Sequence, residues 1–291
     1  MDSQNEYEAL RRQYETDDNL RTRQETHDKY TIPNRNYVDW VLKCARWRGD
    51  EHVLDVGSGP GLYYHSLRDL IPQGRYIGVD LIPGMLRNHP AGLDKISVAD
   101  ALHLPFPDAS FDVVMANHML YHVQAVEDTI AELRRVLKAD GLLVTATNSV
   151  GTMPELQVLM RRAIVLLTRR GPTSVRVPSL PSDRFALENG TRMLSRYFFA
   201  VVRHDLPSAL VFPEVEPALT YLESTRDLRE AQLPDDVVWE DVMMIMRQQI
   251  NQLIKHLGEL MITKQAGVLI ASNSGGFIAE YLAHQQQFEQ G

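Results

Sequence analysis

Val53-Leu54-Asp55-Val56-Gly57-Ser58-Gly59-Pro60-Gly61-Leu62 decides how this chain is read. A short apolar run stops at Gly57, glycines recur at 57, 59 and 61, and an apolar helical pattern over 62–70 begins at once. That is a buried strand turning directly into a helix. The glycines let the backbone turn tightly and let a ligand approach main-chain N–H groups with no Cβ in the way. The helix N-terminus behind them favours a carboxylate or phosphate. The spacing is G-x-G-x-G, whereas the dinucleotide fingerprint puts its last glycine one position later, where Leu62 stands. Taken alone, such a turn is equally a tight strand–helix corner without a ligand.

Outward from this turn, apolar runs at 52–56, 75–80, 96–100, 111–116 and 141–146 read as strands. Helical patterns separate several of them, at 62–70 and at 126–137, where Ile130, Leu133 and Val136 share a face. Strands alternating with helices imply a parallel sheet covered on both faces. The rhythm then breaks. A Leu- and Met-rich helix is expected over 156–167, followed by a loop holding Pro172, Pro178, Ser179, Pro181 and Ser182. Helices are expected at 191–197, 213–224 and 235–260, a strand at 198–204 and a last strand at 266–271, with a frayed Gln-rich tail after Gly276. Upstream, residues 1–30 read as a polar exposed helix or ordered arm. Val38, Val41, Leu42 and Ala45 then place a packed helix ending near Gly49. The expected segments are an N-terminal helical arm or lid (1–48), a ligand-binding core (49–148), an insertion (149–197), a C-terminal part of the same fold (198–275) and a tail (276–291).

Composition bounds the function. In 291 residues, 44% are hydrophobic and 23% charged, which suits a globular chain of one large, elaborated domain and argues against wholesale disorder. A net charge of −8 argues against a dedicated nucleic-acid binder. The single cysteine, Cys44, leaves no internal disulfide framework and no Cys-based zinc cluster, and fits a reducing cytoplasm. No stretch approaches the roughly 20 apolar residues of a membrane span. Met-Asp-Ser-Gln-Asn-Glu at the start has neither a basic region nor an apolar run, so no signal peptide is expected.

Polar residues end the strands in series. Asp80 closes the second run, at the separation expected of an acid that binds ribose hydroxyls. Asp100 closes the third, and Asn117-His118 follow the fourth. One such Asp is often a helix cap. Three in register with a glycine-rich turn point to the crevice where open α/β sheets bind ligands.

These pieces are specific in combination. Residues 50–148 resemble the class I S-adenosylmethionine-dependent methyltransferases, in the small-molecule subgroup of ubiquinone and menaquinone type. The resemblance rests on Leu54-Asp55-Val56-Gly57-Ser58-Gly59-Pro60-Gly61, on Gly78-Val79-Asp80 and on Ala99-Asp100-Ala101 with Leu104-Pro105-Phe106-Pro107-Asp108 after it. Arg134-Arg135-Val136-Leu137-Lys138-Ala139-Asp140-Gly141 completes it. It covers about a third of the chain strongly. It implies an α/β fold: a Rossmann-like, seven-stranded, mostly parallel sheet with helices on both faces and an antiparallel last strand. It also implies transfer of a methyl group from S-adenosyl-L-methionine to a small molecule. Gly57, Ser58, Gly59 and Gly61 would hold the methionine part of that cofactor, with Asp55 beneath. Asp80 would take the ribose hydroxyls, Leu81 and Met85 would pack on the adenine, and Asp100 with the Ala101 backbone would meet the adenine amine. Asn117 and His118 would line the wall beside the methyl group.

In that setting His118 and His122 are the candidates for a general base, needed only if the acceptor attacks as a neutral hydroxyl, amine or carbon acid. Their i, i+4 spacing is half a metal site with no further ligand beside it, so no metal is expected. The arm carries Tyr30, whose ring would gain a cation–π contact beside a sulfonium. Acceptor specificity is expected in 149–197 and 207–260, where Met153, Met160, Met193, Met243, Met244 and Met246, with Phe185, Phe198 and Phe199, offer adaptable apolar surface for an apolar or aromatic small molecule; ordinary core packing is the competing reading of each Met. Two other readings stand beside this one: an NAD(P)-dependent oxidoreductase, and a non-catalytic S-adenosylmethionine-binding protein. The oligomeric state, a homodimer among the options, is left open.

Overall fold

The computed structural model describes residues 3–180 and 182–288. Pro181 of the expected loop, residues 1–2 of the expected arm and residues 289–291 of the expected tail lie outside the described residues. Among the described residues eight strands form one sheet: β1 (Thr31–Ile32), β2 (His52–Val56), β3 (Arg75–Asp80), β4 (Ile96–Val98), β5 (Phe111–Met115), β6 (Leu137–Asn148), β7 (Ala200–Phe212) and β8 (Leu260–Ser272). Their order is β1-β7-β8-β6-β5-β2-β3-β4. β2 pairs in parallel with both β3 and β5, β3 with β4, and β5 with β6. β8 runs antiparallel to β6, as expected of the last strand. The eighth strand is β1, a two-residue antiparallel addition to β7.

This order positions the site. The chain leaves β2 for β3 and β4, then returns to β5 on the other flank of β2. The strand order therefore reverses between β2 and β5. The turns that follow those two strands, at Gly57 and Asn117, flank the switch point where such sheets bind ligands.

Side-chain alternation builds the layers. On one face Leu54, Val56, Val114, Leu143 and Leu269 pack with Val126, Ile130, Leu133 and Val136, the apolar stripe of the helix Val126–Val136. On the other, Val53, Val113, Met115, Val144 and Ile270 pack with Val41 and Leu42 of the helix Tyr37–Lys43 and with Leu67 of the helix Tyr64–Leu70. Asp55, two residues after Val53, belongs to this second face.

Some elements differ from the sequence reading. β7 extends eight residues beyond His204, through Pro207 to Phe212, although proline removes a ladder donor and so reads as a strand breaker. The expected frayed tail is corrected: Phe277–Phe288 is a helix. Its Phe277 is buried and the Tyr281 hydroxyl lies 2.7 Å from His204 Nε2, so an i, i+4 aromatic face anchors what the Gln run alone suggested was loose.

The chain divides into two units that cut across the expected linear segments. One comprises Asn36–Val150, Ser182–Leu206 and Ala266–Gly291, and holds the layers just described. The other comprises Met1–Arg35, Gly151–Pro181 and Pro207–Gln265. Its core is built on Phe212 and Trp239, on Leu156, Met160 and Ile164 of the helix Pro154–Thr168, and on Val242, Met246 and Ile250 of the helix Trp239–Leu257. Met160 and Met246 are wholly buried there and serve as core. No helix among the described residues is long and apolar enough to cross a membrane.

Candidate functional site

The glycine turn owes its shape to backbone conformations that other residues avoid. Gly57 has φ +68° and Gly61 φ +81°. A Cβ on Gly57 would stand 2.7 Å from Met119 Cβ, and one on Gly61 would stand 2.6 Å from Pro90 Cδ. The turn is tied down by its own N–H groups. Those of Gly57 and Ser58 both donate to Val79 O, at 2.8 and 3.0 Å, and that of Gly61 donates to Ser58 O. The Gly59 N–H donates to Asp80 Oδ2 at 3.0 Å. The glycines thus provide close approach, while these N–H groups are spent inside the protein and not offered to a ligand. The helix behind begins at Tyr64, two residues later than its apolar pattern suggests.

Asp80 is the hub of this end of the sheet. Besides Gly59, it accepts from the Ile82 N–H through Oδ1 at 2.9 Å. Burial raises its pKa against the pull of these backbone donors. Asp100 stands two residues past Val98, the residue opposite Asp80, and its Oδ1 accepts from the Leu102 N–H at 2.9 Å. Ala101 is buried in the core beside it, Met85 is buried, and Leu81 is partly exposed. Asp55 is 2% exposed, and burial raises its carboxyl to about 7. No ion pair joins Asp55, Asp80 or Asp100 to an Arg or Lys among the described residues, so this edge carries acid without an internal counter-cation.

Across the switch point, Asn117 Oδ1 accepts from the Ala146 N–H at 2.8 Å, and its Nδ2 is buried without a hydrogen-bond partner among the described residues. His118 follows in a left-handed conformation, φ +55°, with its N–H on Ala146 O. That uncommon conformation carries the imidazole to the Tyr37 hydroxyl, 2.7 Å from Nε2. Burial pushes the Tyr37 phenol well up, so it keeps its proton. His122 ends a short 3₁₀ turn, its ring against Tyr121 with centroids 4.5 Å apart. Tyr63, just ahead of the helix Tyr64–Leu70, is 5% exposed, and its hydroxyl has no hydrogen-bond partner among the described residues.

The turn, Asp80, Asp100 and Asn117-His118 therefore gather along one edge of the sheet. Tyr30 belongs to the other unit, where its ring packs on Phe212 at 5.1 Å. Sequence reasoning missed Tyr37, Tyr63, Tyr76 and His89. Nothing in the local pattern around each of them marks it as part of the site.

A strand-order reversal flanked by a glycine turn and a row of strand-end acids is the place where open Rossmann-like sheets bind nucleotide-type ligands. Residues 54–145 match the methyltransferase domain family model. That segment is a methyltransferase domain. The chain is 33% identical over 152 residues to a malonyl-[acyl-carrier protein] O-methyltransferase of Geobacter sulfurreducens, a match covering 50% of this chain and 57% of the relative. It is 35% identical over 133 residues to a demethylmenaquinone methyltransferase of Symbiobacterium thermophilum, covering 38% and 53%. The chain spans about half the length of these curated relatives. In fold it is similar to a phosphoethanolamine N-methyltransferase of Haemonchus contortus solved with S-adenosyl-L-methionine, with a TM-score of 0.51 and 15% identity over 89% of this chain and 58% of the other.

Proposed function

We propose that this protein transfers a methyl group from S-adenosyl-L-methionine to a small-molecule acceptor of apolar or aromatic character, in the cytoplasm. The observation that carries the reading is the edge at Gly57–Gly61, Asp80, Asp100 and Asn117. Among the described residues it is acidic, lacks an internal counter-cation, and keeps buried polar atoms, Asn117 Nδ2 and Tyr63 Oη among them, without hydrogen-bond partners. A cofactor with a cationic sulfonium, an amino acid end and a ribose fits that donor and acceptor set. Gly57, Ser58, Gly59 and Gly61 let the amino acid end approach the backbone closely, Asp80 takes the ribose, Leu81 and Met85 the adenine ring, and Asp100 with Ala101 the adenine amine.

Bound there, the cofactor would supply a methyl group already made electrophilic by its sulfonium. The protein's part is then to hold the acceptor in line, which can be worth roughly 7–11 kcal/mol. Residues 149–197 and 207–260, outside the matched domain, carry the acceptor's selectivity. For an acceptor that must lose a proton, His118 is the base. Its Nε2 is engaged by Tyr37, so the proton passes through the Tyr37 hydroxyl.

Two measurements test this. In a thermal-shift panel, S-adenosylmethionine and S-adenosylhomocysteine are expected to raise the melting temperature, since ligand at about a hundred times Kd adds about 2.7 kcal/mol, while NAD leaves it unchanged. A shift with NAD alone would overturn the assignment. Once an acceptor is found, His118→Ala is expected to lower kcat about a hundredfold and His122→Ala far less. Near-normal turnover in both variants removes the base.

A further inference from the structure

Behind the glycine turn lies a chain of hydrogen bonds that no step above uses. The Tyr76 hydroxyl stands 3.1 Å from Asp55 Oδ2 and 3.0 Å from His89 Nε2. The direction of each bond can be worked out. His89 Nδ1 accepts from the Ala91 N–H at 3.1 Å, so that nitrogen carries a lone pair and the ring proton sits on Nε2. The Nε2–H therefore donates to Tyr76 Oη. Tyr76 has one proton to give, and it goes to Asp55 Oδ2.

The fold makes room for this arrangement. Asp55 and Tyr76 lie on the same face of β2 and β3, and the residue opposite Asp55 is Gly78. A Cβ there would stand 2.9 Å from the Tyr76 hydroxyl, so only glycine at 78 lets the phenol reach across to the carboxylate. The chain touches the turn at both ends. Asp55 lies two residues before Gly57, and a Cβ on Gly61 would stand 2.9 Å from His89 Nε2.

We propose that Tyr76 and His89 are positioning residues of the cofactor site: their directed hydrogen bonds hold Asp55 as an anion beneath the glycine turn, where it attracts the α-ammonium of the bound cofactor. This rests on the cofactor reading above. The surroundings suit the role. Burial drives His89 down to about 4, so it stays neutral. Burial and the neighbouring Asp55 push the Tyr76 phenol far up, so it remains a donor. The other titratable groups facing Asp55 are Asp80 on β3 and Tyr63 ahead of the helix Tyr64–Leu70. On the opposite flank β5 places Met115 against it. Tyr64 packs on both Tyr76 and His89, with centroids 5.1 and 5.8 Å away. No cation is among these groups, so the charge on Asp55 depends on its one side-chain donor, Tyr76.

The test is calorimetric titration with S-adenosylhomocysteine from about pH 5 to about pH 9, for the unmodified protein, Tyr76→Phe and His89→Ala. This probe has the ammonium and lacks the sulfonium. Affinity of the unmodified protein is expected to rise with pH through about 7, as Asp55 ionises. In Tyr76→Phe that rise is expected to move up by about one pH unit, with affinity about tenfold lower at neutral pH and restored at the alkaline end. A merely structural loss would be the same at every pH. His89→Ala is expected to shift the rise in the same direction by less, and serves alone if Tyr76→Phe does not fold. Long-range proton–nitrogen NMR on the ligand-free protein is expected to find His89 protonated at Nε2. Superimposable pH profiles, or a proton on Nδ1, overturn the proposal while leaving the cofactor reading intact. Failure of the unmodified protein to bind at any pH overturns the cofactor reading and this role with it.

Discussion

Gly57→Ala is expected to lower the melting temperature by roughly 5–15 °C and to weaken S-adenosylhomocysteine binding about a hundredfold. At φ +68° the substituted residue is held in a left-handed conformation, which costs about 1–2 kcal/mol for an L-residue. Its methyl then meets Met119 Cβ and Cγ at 2.7 and 2.9 Å. These are the root of that side chain, and a rotamer change cannot clear the Cβ. Met119 must shift with its backbone, adding about 1–3 kcal/mol. That shift is passed directly to His118, itself in a left-handed conformation one residue earlier. Loss of stability and loss of binding are thus one event. Differential scanning calorimetry and ligand titration check it, and a melt within a degree of the unmodified protein would show that the turn does not have this shape.

Asp55→Asn should make the ligand-free protein more stable at alkaline pH while impairing cofactor binding. Burial holds the Asp55 carboxyl at about 7 in the fold, against about 3.9 in an unfolded chain. Between those values the folded state binds more protons than the unfolded state. Its stabilising contribution is therefore complete below about pH 3.9 and is lost as pH rises through about 7. The full swing is on the order of 4 kcal/mol. Asparagine does not titrate, and its carbonyl can still accept from Tyr76. Denaturant melts should separate progressively in favour of the variant between about pH 4 and about pH 7, and by a constant amount above that. Parallel melts across that range would mean that Asp55 is not a buried, destabilising anion. The unmodified protein keeps the acid despite this, as expected where a charge serves a ligand better than the fold.

The reading from residues alone held best where chemistry is local. The strand into Gly57, the glycines, Asp80 and Asp100 are all fixed by short-range pattern, because a buried parallel strand must be apolar and its C-terminal tip polar. It held less well where a residue's meaning comes from a distant partner. Tyr37 reads as part of a packed helix, yet its hydroxyl meets His118, 81 positions on. Tyr76 reads as strand core, yet it joins Asp55 to His89. The strand expected to end at His204 runs on through Pro207 to Phe212. The glycine N–H groups, expected to face a ligand, are turned instead to Val79, Asp80 and Ser58.

What the order of residues determined by itself is the succession of strands and helices, the class of the sheet and the identity of its polar tips. All of these follow from hydrophobic period and turn chemistry over a few residues. Which tips face one another, which hydrogen bonds are already spent, and that Met1–Arg35, Gly151–Pro181 and Pro207–Gln265 gather into a unit of their own were decided only by the tertiary structure. Packing selects partners by shape and burial across long stretches of chain, and no local pattern encodes that choice.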